Sequence, residues 1–326
     1  MPTSSSACDG RHGNPGCASK SCDVRHRPVL LNEVVEALRP APELRMLDGT
    51  FGRGGHTAAL LRAGAAVLAL DRDPAALASP EAAALKEEFG ERLILMKANF
   101  GSLAGVAREA GPFDGVLLDL GVSSPQLDEG ARGFSFSHDG PLDMRMDPES
   151  PVSAADIVNS WTEPELARLF REYGEEAQAG RIARALVRRR TAAPFTRTGD
   201  LAAVVEAALG GRRDRRIHPA TKTFQALRIQ VNDELGALEQ ALHALPAALR
   251  PGGRCAIISF HALEDRRVKT FLTRHSTAEL RGPASPFGTP NPEFHFHDVG
   301  RWLPTEEETD ANPRARSARL RAATRN

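Results

Sequence analysis

What is scarce in this chain narrows its class first. No apolar run approaches the roughly 18–20 residues of a membrane span. No apolar signal core stands at the N-terminus either, so the expectation is a cytoplasmic protein with no membrane contact. Cysteine is limited to Cys8, Cys17, Cys22 and Cys255, without the C-x-x-C pairing of a zinc knuckle. The first three lie with His12 and His26 in a Gly/Ser/Asn-rich stretch, so residues 1–24 read as a disordered leader and no metal site is expected. No internal repeat stands out. Net charge is missing too, since 42 Lys and Arg balance 42 Asp and Glu over 326 residues. No global field therefore draws the chain to a polyanion. The arginines are nonetheless clustered, as Arg181, Arg184, Arg188, Arg189 and Arg190, then Arg212, Arg213, Arg215 and Arg216, then Arg314, Arg316, Arg319, Arg321 and Arg325. One such cluster reads as a solvated face or a frayed tail; three together favour a phosphate-bearing partner.

The organising stretch is Met46-Leu47-Asp48-Gly49-Thr50-Phe51-Gly52-Arg53-Gly54-Gly55-His56. A short apolar run, an acid, a glycine turn and a helical pattern from Thr57 make the first βα unit of a nucleotide-binding sheet. A second strand, Ala66 to Leu70, ends in Asp71, about 20 residues on, where such folds place an acid on a ribose hydroxyl. NAD and S-adenosylmethionine (AdoMet) folds share this geometry. The turn lacks a clean G-x-G-x-x-G, and Asp48 is placed to meet a cationic amino-acid moiety, which tilts the reading toward AdoMet.

Strand-like runs recur at Leu93–Met96 and Val116–Leu120, alternating with helical segments. The expected fold is therefore α/β, a Rossmann-like class I methyltransferase sheet, with ligands beyond the strands' carboxyl ends. Asp48, Asp71, Phe100 and Asp119 all fall there. The order then breaks: 121–150 is rich in Gly, Ser, Pro and Asp, and 154–208 is wholly helical. Strand logic resumes at Cys255–Phe260, after a helical pattern over Thr223–Leu249 and the turn Arg250-Pro251-Gly252-Gly253. Residues 130–230 read as an inserted all-α domain, and 25–129 with 231–326 as the methyltransferase domain. The insert's expected use is contact with RNA substrate; a lid or a homodimer surface is the alternative. A last strand or hairpin is expected over 314–321.

Asp119-Leu120-Gly121-Val122-Ser123-Ser124-Pro125 stands where cofactor and acceptor meet in such a sheet. A carboxylate and backbone carbonyls there hold an exocyclic amine, whose lone pair is delocalised into its ring, facing a methyl donor. The loop holds no cysteine, which argues against covalent methylation at a pyrimidine C5. His261, just after the fifth strand, is a candidate to contact the acceptor or shuttle a proton, and equally a helix cap. Phe134 and Phe136 are candidates to stack on a base or to anchor their loop to the core. His295 and His297 alternate on one strand face, where a metal role is conceivable but has no further support.

These residues extend into longer motifs: His26 to Leu31, Asp48 to His56, Asp119 to Asp128, Arg132 to Phe136, Gly140 to Met146, His218 to Ala226, Ser259 to Asp265 and Asn312 to Ser317. In them the chain resembles the bacterial 16S rRNA cytosine-N4 methyltransferases (the RsmH, formerly MraW, family), from about residue 26 to the end. The resemblance implies AdoMet-dependent methylation of N4 of a cytidine in the decoding region, acting on 16S rRNA or the small ribosomal subunit. It carries the family's AdoMet contacts onto Gly54, Gly55, His56, Asp71, Phe100, Asp119 and Gln126. Asp119 and His261 are the catalytic candidates. A DNA amino-methylase and a non-catalytic ribosome-assembly factor remain as other readings.

Overall fold

The computed structural model describes residues 28–211, 218–282 and 285–326, so the expected leader and the cluster from Arg212 to Arg216 lie outside the described residues. In chain order come α1 (Leu31–Leu38), β1 (Arg45–Asp48), α2 (Gly55–Arg62), β2 (Ala66–Asp71), α3 (Pro74–Leu77), α4 (Pro80–Phe89), β3 (Leu93–Lys97), α5 (Leu103–Ala110) and β4 (Phe113–Asp119). Next are α6 (Ser124–Asp128), α7 (Ala154–Ser160), α8 (Glu163–Glu172), α9 (Ala179–Arg190), α10 (Thr198–Ala208), α11 (Thr221–Asn232) and α12 (Glu234–Ala248). The chain ends with β5 (Leu249–Ser259), α13 (Ala262–His275), a hairpin of β6 (Glu279–Gly282) and β7 (Ser285–Pro290), then β8 (Phe296–Trp302), α14 (Glu306–Ala311) and β9 (Arg319–Arg325).

Seven strands form one sheet in the order β3-β2-β1-β4-β5-β9-β8. β1 to β5 are parallel, whereas β9 runs antiparallel to β5 and β8 antiparallel to β9. This is the expected α/β sheet of Rossmann-like order. Strand parity explains why it is buried on both faces. Leu47, Leu68, Val116, Leu118, Cys255 and Ile257 pack on one side with α12 and α13. Met46, Val67, Leu117, Ala256 and Ile258 pack on the other with α1, α2 and α4. With both faces covered, the strands read as continuous apolar runs rather than alternating ones.

A third core belongs to the helices α7 to α11, with Phe134, Leu142, Met144 and Met146 from the preceding loop. The helical pattern over 223–249 is broken at Asp233, whose φ of 47° turns the chain. Ala226 and Leu227 stay with the helical core on one side of that turn, and Leu238, Ala241 and Leu245 join the sheet on the other. β5 begins earlier than expected because Leu249 pairs with Phe113, and a register shift accommodates Pro251-Gly252-Gly253. The last strand starts later, at Arg319, because Pro313–Ser317 wind into a 3₁₀ turn. No helix among the described residues is long and apolar enough to cross a membrane.

Candidate active site

A cleft opens at the carboxyl ends of the parallel strands. It is lined by Gly49, Thr50 and Gly52 after β1, Asp71 and Arg72 after β2, and Ala98, Asn99 and Phe100 after β3. Asp119 to Ser123 and Gln126 follow β4, and Met146 and Phe260 complete the lining. The turn after β1 holds its shape through carboxylates. Asp48 is buried, with Oδ2 accepting from Thr57 Oγ1 at 2.6 Å and Oδ1 from Thr50 N at 3.0 Å. Its carboxylate is thus spent on joining the turn to α2, and it does not line the cleft. The expectation that Asp48 meets a cationic ligand gives way to this bracing role. Burial pushes its pKa up, against the hydrogen bond from Thr57 and the neighbouring His56.

Asp71 accepts from Gly52 N and from Asp73 N, each at 2.8 Å, so it clamps the glycine turn while facing the cleft. Thr50 Oγ1 accepts from Asp119 N at 2.7 Å, which locks the end of β4 to the same turn. Asp119 Oδ1 is buried without a hydrogen-bond partner. Burial lifts Asp71 and Asp119 each to about 6; for Asp119, His56 opposes the rise while Asp48 and Glu264 add to it.

The other expected contacts divide into two groups. Phe100 and Gln126 line the cleft with Asp71 and Asp119. Gly54, Gly55 and His56 stand behind it, where α2 begins. Gly54 has φ 71°, a left-handed conformation that side chains resist. A Cβ on Gly55 would lie 2.3 Å from Pro28 Cγ, so that position is glycine for close packing. His56 is buried between Val29 O, 3.0 Å from Nε2, and Asp119 Oδ2, 3.5 Å from Nδ1.

Two supports escaped the sequence reading. Gln126 Nε2 donates to Asp73 Oδ2 at 3.0 Å, and Arg132 pairs with the same carboxylate at 2.8 Å. Arg132 also donates to Arg145 O and Met146 O, tying the loop over the cleft to β2's end. Asn232, buried at the end of α11, donates from Nδ2 to Met144 O at 2.7 Å and accepts from Met146 N at 2.8 Å. No signal in the sequence marked either, since the partners are backbone groups or residues remote along the chain.

His261 caps α13, its Nδ1 accepting from Glu264 N at 3.4 Å, and it is not among the cleft-lining residues; its neighbour Phe260 is. Glu264 accepts from Phe260 N and His261 N. Burial works against its charge, but His261 and Arg228 outweigh that and hold its pKa below the usual range. Glu234, His261 and Glu264 place ligand-type atoms within 4.8 Å of one another, yet Glu234 is taken up by a two-pronged pair with Arg228 at 2.8 Å on each arm. This group is a structural brace. Phe134 is buried in the helical core and Phe136 stacks on His218 with 4.4 Å between ring centroids, so both anchor their loop. His295 stacks on His275 at the end of the sheet, with 5.4 Å between centroids.

The model of the MraW methylase family matches residues 23–326. Among relatives, proteins named ribosomal RNA small subunit methyltransferase H from Brucella canis and Brucella suis biovar 1 are each 49% identical over 318 residues. Each alignment covers 96% of this chain and 91% of the relative. Among solved structures, an rRNA methylase from Streptococcus thermophilus aligns with a TM-score of 0.40 at 12% identity, over 90% of this chain and 93% of that one. The match along nearly the whole length settles the kinship: the chain belongs to the MraW methylase family.

Proposed function

We propose that this protein transfers a methyl group from AdoMet to the exocyclic N4 of a cytidine in the decoding region of 16S rRNA, within the small ribosomal subunit. The observation that carries the reading is the Asp119 carboxylate at the end of β4, facing the cleft with Oδ1 unpartnered. An unpartnered buried carboxylate oxygen calls for a donor or a cation. AdoMet is cationic, and an amino acceptor brings N–H donors, so the lining fits both. Family membership and the relatives' printed names support ribosomal RNA of the small subunit as the substrate.

Asp71 is the residue to hold the ribose hydroxyls, as acids at the end of a second strand do in such sheets. Phe100 and Gln126 complete the donor's surroundings, with Gly54, Gly55 and His56 shaping the turn from behind. When bound, AdoMet supplies an electrophilic methyl group: the nitrogen's lone pair forms the N–C bond, the C–S bond breaks onto sulfur, and one N–H proton must leave. The chain's own contribution is alignment of the two partners and exclusion of water, which can be worth effective molarities of about 10⁵ M or more. Asp119 is the catalytic residue in this reading, and His261 keeps its capping role. Residues 130–230 act as the substrate-bearing domain. Within it, Arg181, Arg184, Arg188 and Arg189 line a groove between α9 and α10 whose lining holds no acid. A paired cytosine hides its acceptor nitrogen, so the target base is unpaired or flipped out.

The test is to map methylated nucleotides in small-subunit rRNA from a strain lacking the protein, and to complement it with wild type or Asp119→Ala. The expected result is loss of one N4-methyl mark, restored by wild type only. A mark that persists in the deletion strain, or is restored by Asp119→Ala, would overturn the assignment.

A further inference from the structure

His56 does not line the cleft, yet it touches the residue that does. Its ring is 6% exposed. Nε2 lies 3.0 Å from the Val29 carbonyl oxygen, and a carbonyl only accepts, so Nε2 carries a hydrogen. That fixes what Nδ1 can be. In a neutral ring it has only a lone pair, and 3.5 Å away stands Asp119 Oδ2, also an acceptor. Two lone pairs facing each other away from water are costly unless a proton lies between them. The proton can reside on the ring or on the carboxyl, and in either case the two groups share it.

We infer that His56 is a positioning residue that shares a proton with Asp119, and that this pair takes up the proton released when an amino group is methylated at the site. The inference rests on the proposed methyl transfer. In the step itself the acceptor's N–H bond breaks, its electron pair stays on nitrogen, and the proton passes to the Asp119 carboxylate, the shared proton then standing on His56 Nδ1. The positive charge brought by the sulfonium donor thereby becomes one proton on the pair. His56 steadies the carboxylate from behind through Oδ2, while Oδ1 keeps no protein partner.

The surroundings favour such a unit. Asp48 from β1 and Glu264 from α13 face Asp119 along with His56 from α2, and His56 is the counterweight to Asp119 and Asp48. Thr57 and Thr50 already occupy Asp48, and His261 with Arg228 occupy Glu264. Burial lifts Asp119 to about 6, and His56 is the influence that opposes the rise. Without His56 opposite Oδ2, Asp119 should keep its proton to higher pH.

Two measurements decide. The first follows single-turnover methyl transfer to unmethylated small ribosomal subunits, at saturating AdoMet, across about pH 5 to 9. The expected wild-type profile has an acid limb, and in His56→Gln its midpoint rises by about one pH unit while AdoMet affinity at about pH 9, above that limb, holds. An unmoved midpoint, or AdoMet affinity lost at about pH 9 in step with rate, would overturn the inference. The second needs no substitution: ¹⁵N signals of the His56 ring in the native enzyme. The expected neutral form is Nε2–H, with Nδ1 and the Asp119 carboxyl changing together on titration. A neutral Nδ1–H ring, or independent titrations, would refute it. If wild type transfers no methyl to the subunit, the functional reading has failed, whereas the ring measurement still judges the pair.

Discussion

Replacing Asn232 by Ala should loosen the loop over the cleft more than its small size suggests. The side chain is 1% exposed and bridges α11 to the segment 144–146. Its removal leaves Met144 C=O and Met146 N–H without their partners. The third bond, to Arg228 O at 3.0 Å, is the lesser loss because that carbonyl lies within a helix. An unsatisfied buried backbone group costs about 1–3 kcal/mol, so the two together cost about 2–6 kcal/mol before water relieves them. Taking about 3 kcal/mol and about 2–4 °C per kcal/mol, the melting temperature should fall by about 6–12 °C. Met146 lines the cleft, so AdoMet affinity should fall as well. The control lies inside the helical core. Asn159 makes the same two-way clasp on Phe195, donating to its carbonyl and accepting from its N–H at 2.8 Å each, far from the cleft lining. Asn159→Ala should destabilise without changing AdoMet affinity. Scanning fluorimetry and AdoMet titration on both variants test the argument. A melting point within about 2 °C of wild type for Asn232→Ala, or an equal loss of AdoMet affinity in the two, would refute it.

Other outcomes follow from the same geometry. Gly55→Ala puts a Cβ 2.3 Å from Pro28 Cγ, so the first turn of α2 must move; a stability loss of about 1–3 kcal/mol, read by denaturant titration, is expected. Asp71 and Asp119 each sit at about 6 in the folded chain, so AdoMet, a cation, should bind more weakly as pH drops through 6. For the free protein the sign is reversed. Each carboxyl is raised above its unfolded value of about 3.9, so its contribution to stability is full below about pH 4 and is lost as pH rises through about 6. Asp119→Asn should flatten that part of the melting-temperature profile, and an unchanged profile would contradict it. Changing Arg181 and Arg188 to Ser should lower the salt slope of rRNA binding by up to about 2, at about 0.7–0.9 per lost phosphate contact. Arg190→Ser should leave the slope alone, because Arg190 donates to Val158 O within the helical core.

The sheet was legible in the sequence wherever a strand is buried on both faces, since Val67–Leu70 and Val116–Leu118 are apolar without interruption. Asp71 and Asp119 followed from strand ends, a purely topological argument. Asp48 stands at such an end as well, but its carboxylate turns inward to Thr57, and spacing carries no information on side-chain direction. The break at Asp233 was hidden because both flanking helices keep a helical period, and only the change of packing partner distinguishes them. Asn232 and the Asp73–Arg132–Gln126 group were invisible because their partners are backbone groups or residues remote in sequence. The pairing of His56 with Asp119 depends on how α2 is rotated, which no linear pattern records.

The placement of the helical core also bears on how the chain reaches its folded form. β4 and β5 are hydrogen-bonded neighbours, with Val116 beside Cys255, yet the whole run from α6 to α12 is spooled between them. Zipping those strands together directly would mean closing a very long loop of flexible chain, whose entropic penalty precedes any reward from contacts. Helices α7 to α11 have a core of their own. If they collapse early through local contacts, they reel in that slack and bring Cys255 within reach of the waiting edge of β4.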